Sequence, residues 1–118
     1  MDKSAEEKSF LFAVRIVNLC SYLTETKKAY ILSKQLLRAG TSIGANLAES
    51  QQAQSRPDFI SKLSIGLKEA VETNYWLRLL HATNHLTDTE FESISADCTE
   101  LEKMLTAIIK TTKENNAK

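Results

Sequence analysis

Two glycines inside a run that otherwise reads as helix constrain this chain more than any other feature. Gln35–Ser50, QLLRAGTSIGANLAES, contains Gly40 and Gly44, and each glycine costs a helix interior about 1 kcal/mol relative to alanine. Something must offset that cost. At about 100° per residue, Leu36, Gly40, Ile43 and Leu47 fall on one line, with Leu37, Gly44 and Ala48 beside it. Glycines on an apolar face let a second helix approach backbone to backbone. Arg38, Ser42, Asn46 and Glu49 gather on another side. The stretch therefore has a close-packing face and a separate polar ridge, and the rest of the chain supplies what packs on it.

Breakers are scarce elsewhere. One proline and three glycines in 118 residues favour a few long helices over many short strands. The pattern predicts four. The first runs from about 5 to 24, opened by a capping-box pair at Ser4 and Glu7. It carries two apolar lines: Phe10, Val14 and Val17, and Phe12, Ile16, Leu19 and Leu23. The second runs from about 27 to 53 and begins with Lys27, Lys28, Lys34 and Arg38. The third, about 57 to 84, starts at Pro57, whose missing N–H costs nothing in a first helical turn. Ile60, Leu63, Leu67, Val71 and Asn74 form one of its lines; Ile65, Glu72, Trp76 and Leu79 form another. It is the most nearly apolar all round, and so is expected to be the most buried helix, or buried twice, inside the bundle and against another subunit. The fourth, about 88 to 113, follows a capping box at Thr87 and Glu90. Its seam is Phe91, Ile94, Cys98, Leu101, Leu105 and Ile108, a heptad-like spacing. The last residues, from Glu114, are expected to fray. No strand-like alternation is present. Short loops make neighbours antiparallel, so the predicted fold is all-α, one up-down-up-down antiparallel four-helix bundle over residues 1–118.

Charge limits the partners. Fifteen basic residues balance fifteen acidic ones, which argues against strong nonspecific attraction to nucleic acid or an anionic membrane. Acids collect on the predicted outer face of the fourth helix, at Glu90, Glu92, Asp97, Glu100 and Glu102. No signal-peptide pattern opens the chain, and its longest apolar run, Phe10–Val14, is far short of the ~20 residues that span a bilayer. Cys20 and Cys98 lie on apolar faces as buried thiols rather than a disulfide framework. The expected location is the cytoplasm.

Three runs carry a family resemblance: Ser42-Ile43-Gly44-Ala45-Asn46-Leu47-Ala48-Glu49, Phe59-Ile60, and Lys68-Glu69-Ala70-Val71-Glu72-Thr73-Asn74-Tyr75-Trp76-Leu77. Together they resemble the four-helix bundle proteins of the 23S ribosomal RNA intervening-sequence type, over about Phe10 to Lys110. The resemblance implies a small bacterial, all-helical, homopentameric protein. A related branch is the accessory protein of diversity-generating retroelements, which binds RNA and a reverse transcriptase. Ser42, Ile43, Asn46, Glu49 and Glu72 match the family pattern. Ser50 departs, since glycine commonly follows that glutamate. The accessory branch is strongly basic, and this chain is neutral.

Several constellations invite a chemical reading. His81 and His85, four apart, have the spacing of a metal pair, but no glutamate follows His81 as in the zinc hydrolases. Two solvent-facing histidines are the plainer reading. Glu49, Glu69 and Glu72 suggest a carboxylate-bridged metal centre, yet the Glu-x-x-His pairs such bundles use are missing. A polar packing or subunit-joining role suits Ser42, Asn46, Glu49 and Glu72 better, with donors from Asn46, Ser42, Thr73 or the Tyr75 hydroxyl. There is no phosphate-cradling glycine loop, no Cys-x-x-Cys, and no nucleophile beside a base. Lys27, Lys34 and Arg38 fall on one side of the second helix, and Arg56 extends that line past the turn. They form a candidate nucleic-acid stripe that would contact phosphates, not bases. The expectation is a non-enzymatic, self-associating protein without cofactor, with RNA or another protein as further partner and no membrane. The alternative is a metal or small-molecule enzyme in the bundle core.

Overall fold

The computed structural model describes residues 3–117. Its helices are α1 (Lys3–Glu25), α2 (Tyr30–Ser50), α3 (Arg56–Ala82) and α4 (Asp88–Ala117). Each packs against its neighbours in sequence, and α4 returns to touch α1, while the backbones of the diagonal pairs stay apart. That is an up-down-up-down square, 51 Å long and about 20 Å across. Among the described residues there is no strand.

The ends of the helices have identifiable causes. Lys28 sits at φ 58°, in the left-handed region, so the chain cannot pass helically through it. This is why α2 starts at Tyr30 and not at about residue 27. At its other end α2 tightens after Ser50: the N–H groups of Gln51, Gln52 and Ala53 bond to carbonyls three residues back, the shorter repeat common at helix ends. Ser55 caps α3, its hydroxyl accepting from the Asp58 N–H at 3.1 Å, which puts Pro57 second in the helix. Asn84 stops α3 with φ 63°. The His85 N–H reaches the Leu80 carbonyl and the Asn84 N–H the His81 carbonyl, a Schellman closure with asparagine in the glycine position. The Thr87–Glu90 capping box forms in full, with each residue's backbone N–H donating to the other's side chain at 2.8 and 3.1 Å. Ser4, by contrast, lies inside α1 and does not cap it. α4 continues to Ala117, past its expected end at about residue 113; the stretch expected to fray, Glu114–Lys118, ends at Lys118, outside the described residues.

The core confirms the close-packing face of α2. Leu36, Gly40, Ile43 and Leu47 are all buried. A Cβ on Gly40 would stand 2.8 Å from two Ile16 side-chain carbons, and one on Gly44 would stand 3.3 Å from the Ser9 carbonyl oxygen. The two glycines therefore admit α1. Gly66 plays the same part between α3 and α2, where a Cβ would meet Leu47 at 3.0 Å. On α3 the buried line is Leu63, Gly66, Ala70, Thr73, Leu77 and Leu80, with small residues in the middle and leucines at both ends, and Val71 of the expected line faces out. On α4 the buried line follows the expected seam through Ile94, Cys98, Leu101 and Leu105 and then drifts to Ile109, as a straight helix does against a heptad.

Candidate interaction surfaces

The polar ridge of α2 faces α3. Arg38 reaches across to two carboxylates, pairing with Glu72 and, at 3.3 Å, with Glu69. The same Glu72 oxygen accepts the Trp76 indole N–H at 2.9 Å. One turn on, the Asn46 side-chain N–H donates to the Ser42 carbonyl and the Ser42 hydroxyl to the Arg38 carbonyl. Glu49 pairs with Lys62 of α3 at 3.2 Å. Ser42, Asn46, Glu49 and Glu72 thus all lie along one seam. Their partners differ from those expected: Glu72 is held by Arg38 and Trp76 and Glu49 by Lys62, while Thr73 bonds back to the Glu69 carbonyl and the Tyr75 ring is exposed. Neither Glu69 nor Arg38 is marked out as a partner by local sequence, because each finds the other 31 positions away.

The basic stripe does not assemble as drawn. Lys27 lies in the α1–α2 loop, its ammonium 6.0 Å from the Tyr22 ring centre. Lys34 and Arg38 stay one turn apart on α2, with Arg38 held by its two glutamates. Arg56 begins α3 at the opposite end of the bundle, a full α2 length of roughly 30 Å from Lys27.

The histidines part company too. His81 Nε2 lies 2.6 Å from Asp88, and its ring stacks on Phe91 with centroids 4.4 Å apart. His85 Nδ1 lies 2.9 Å from the Thr83 hydroxyl. Among the described residues no three His, Cys, Asp or Glu side chains group closely enough to hold a metal ion. Both cysteines are free and buried. The Cys98 thiol donates to the Ala70 carbonyl, and burial pushes its pKa up to about 12. Burial also raises Cys20, whose thiol donates to the Ser33 carbonyl. Neither is an available nucleophile.

The α1–α4 seam is bridged by charge. Lys8 pairs with Glu100, and Arg15 with Asp97 at 2.5 Å and with the Ser93 hydroxyl at 3.0 Å. The hydrogen bond and the charge of Glu100 hold the Lys8 ammonium above its ordinary range. Asp97 and Glu100, read as outer-face acids, are therefore cross-helix partners, and Glu102 accepts from Asn74.

The least satisfied surface lies between α1 and α2. The two apolar lines of α1 have opposite fates: Phe12 and Ile16 are 2% and 0% exposed, Phe10, Val14 and Val17 67%, 43% and 46%. Of the exposed line only Phe10, with its neighbour Leu11, borders a groove of about 840 Å³ whose floor is Thr41, Gly44, Ala45 and Ala48 of α2 and whose lining also includes Glu6 and Glu7. Large side chains form one wall and small ones the floor, the shape into which a protruding helix face fits. Among the described residues no helix is long and apolar enough to cross a membrane.

The chain matches the profile of the 23S rRNA-intervening sequence protein family over residues 2–107. No match is found among curated proteins. It is similar to a crystal structure of a Bacteroides thetaiotaomicron protein of unknown function from the S23 ribosomal protein family, with 57% identity, a TM-score of 0.89, and coverage of 90% of this chain and 98% of that one. With nearly its whole length matched and its polar α2–α3 seam built from the residues that carried the resemblance, this chain belongs to the 23S rRNA-intervening sequence protein family.

Proposed function

We propose that the protein is a non-enzymatic module that works by associating with copies of itself. One observation carries this reading: Phe10 and Leu11 are large, apolar and 67% and 63% exposed, and they line a groove whose other side is built from small residues of α2. Isolated exposed apolar residues are ordinary, but large apolar side chains that together line an open groove mark a surface that another protein covers. The number of copies implied by the family resemblance is five. The side chains that an enzyme reading would draw on are already engaged: Glu49 with Lys62, and Glu69 and Glu72 with Arg38. Nucleic acid ranks second as a partner, because phosphate binding needs free cations close together, and of the four in the stripe one is ion-paired and two lie at opposite ends of the bundle.

Light scattering after gel filtration tests the reading. The expected mass is several times the 13.2 kDa of one chain. A single-chain mass at micromolar concentration would overturn it.

A further inference from the structure

We propose that the α3–α4 face binds the phosphate backbone of nucleic acid. Five cations lie along it: Arg56 and Lys68 on α3, and Lys103, Lys110 and Lys113 on α4, all of them exposed. Among the described residues none of the five has an ion-pair partner. These are free cations close together, which the α2 stripe lacks. The face is the side of the square opposite the α1–α2 groove, and a single chain carries it whole.

The register of the two helices gathers these charges. The Cys98 thiol on the Ala70 carbonyl and the Ser95 hydroxyl on Asn74 fix α3 and α4 antiparallel, with Lys68 within a turn of the level of Lys103. At the far end Arg56 and Phe59 meet Thr112 and Asn115 around one small hollow, which sets Arg56 level with the turn that carries Lys113. Around α4, at about 100° per residue, Lys103, Lys110 and Lys113 fall within about 80° of one another. They occupy the flank next to Glu102, which accepts from Asn74 of α3, while Asp97 on the other flank pairs with α1. From Lys103 to Lys113 the helix rises about 15 Å, a span over which one strand of a duplex presents roughly four phosphates.

What lies between the cations says which anion fits. Ser61, Ser64 and Thr106 are exposed among them, and α4 has no exposed large apolar side chain among the described residues. An anionic membrane takes in an apolar helix face along with charge, and a protein interface is anchored on large side chains that it buries. Hydroxyls and cations without such anchors suit phosphate oxygens. Of the acids on these stretches, Asp58 accepts from the Gln54 N–H and Glu102 from Asn74, so among the described residues Glu114 is left to oppose the five cations. No exposed aromatic ring stands between the cations to stack on a base, so the contacts are to backbone and blind to sequence.

Fluorescence anisotropy tests this, with the full chain titrated into a labelled DNA duplex of about 20 base pairs and an RNA duplex of the same sequence. Four phosphate contacts give a slope of about −3.6 in log K against log salt, a loss of roughly 100-fold between about 50 and about 200 mM salt. At the lower salt the variant Lys68→Gln, Lys103→Gln, Lys110→Gln should bind about tenfold or more weakly than the parent. The variant Lys27→Gln, Lys28→Gln, Lys34→Gln, with the same change in net charge, should bind like the parent. All six positions are exposed, and circular dichroism melts confirm that both variants fold. The two duplexes should bind within about threefold of each other. A parent that does not bind at low salt, an α3–α4 variant that binds like the parent, or an equal loss in the other variant would overturn this face as the site. Competition by poly-glutamate as strong as by unlabelled duplex would overturn the phosphate assignment and make the partner an acidic protein.

Discussion

Helix α2 has a seam on either side, and the two are built differently. Toward α3 the seam is polar at its surface: Arg38 spans to Glu69 and Glu72, Lys62 to Glu49, and Trp76 turns its N–H inward to a carboxylate. Toward α1 the seam closes at depth, on Gly40 and Ile16, then opens outward into a groove of uncovered apolar side chains. The α2–α3 surface is completed by its own residues. The α1–α2 surface leaves its apolar side chains uncovered in the single chain, and the proposed self-association would cover them.

The largest expected effect comes from closing the α1–α2 contact at its tightest point. Gly40→Leu drives a side chain into Ile16, where even a Cβ leaves only 2.8 Å. Overpacking of this sort costs about 1–3 kcal/mol, read as a lowered midpoint in urea with an unchanged slope. A midpoint equal to that of the parent would show that α1 does not lie where the glycines admit it.

Much of this was legible beforehand. The glycine pair predicts a close helix neighbour, and Leu36, Ile43 and Leu47 are buried as their spacing requires. The Thr87–Glu90 box forms because both members sit at one helix start. The same pattern at Ser4 and Glu7 does not cap, because α1 begins a residue earlier. The Lys28 turn was hidden, since lysine has no preference for positive φ; the Ala29 N–H closes the turn on the Leu23 carbonyl at 3.0 Å. The buried line of α3 was misread for a different reason. Gly66, Ala70 and Thr73 are small, and a search for large apolar residues passes over the positions where helices come closest. The two lines of α1 were visible, but which of them turns inward was not; Ser9, buried beside Gly44 with its hydroxyl on the Glu6 carbonyl, fixes that choice. Ion pairs such as Arg38–Glu72 and Arg15–Asp97 join residues far apart in sequence, where helical periodicity carries no information.

A pH titration sharpens the contrast between the sealed interior and the open groove. Cys98 keeps its proton in the fold up to about 12, against an ordinary thiol value of 9.0. Below 9 both states hold that proton and nothing changes. Between about 9 and about 12 the unfolded chain releases it and the folded chain does not, so stability falls as pH rises, at most ~1.4 kcal/mol per unit from this group. Urea midpoints at pH 8.5 and 10, compared between parent and Cys98→Ala, give the measure. The parent should lose about 1 kcal/mol more than the variant; identical losses would mean that the Cys98 site admits solvent.

The smallest stability effect is expected at the polar seam. Arg38 is 49% exposed, and exposed ion pairs contribute about 0–1 kcal/mol. Arg38→Ala should therefore shift the urea midpoint only slightly and leave the light-scattering mass unchanged. Loss of assembly in that variant would move the subunit contact from the α1–α2 side to the α2–α3 side.

The account turns on whether the groove is covered in the assembled protein, and a thiol placed on its floor reads this directly. Ala45 is exposed in the single chain, and the two native thiols are buried, so the rate of labelling of Ala45→Cys by a maleimide reports the groove alone. Thr111→Cys, exposed on α4, sets the rate for an open site. The account predicts that Ala45→Cys labels at least tenfold more slowly than Thr111→Cys at high protein concentration, and that the difference narrows on dilution as subunits separate. Equal rates at every concentration would show a groove open to water, and would contradict the claim that a second copy fills it.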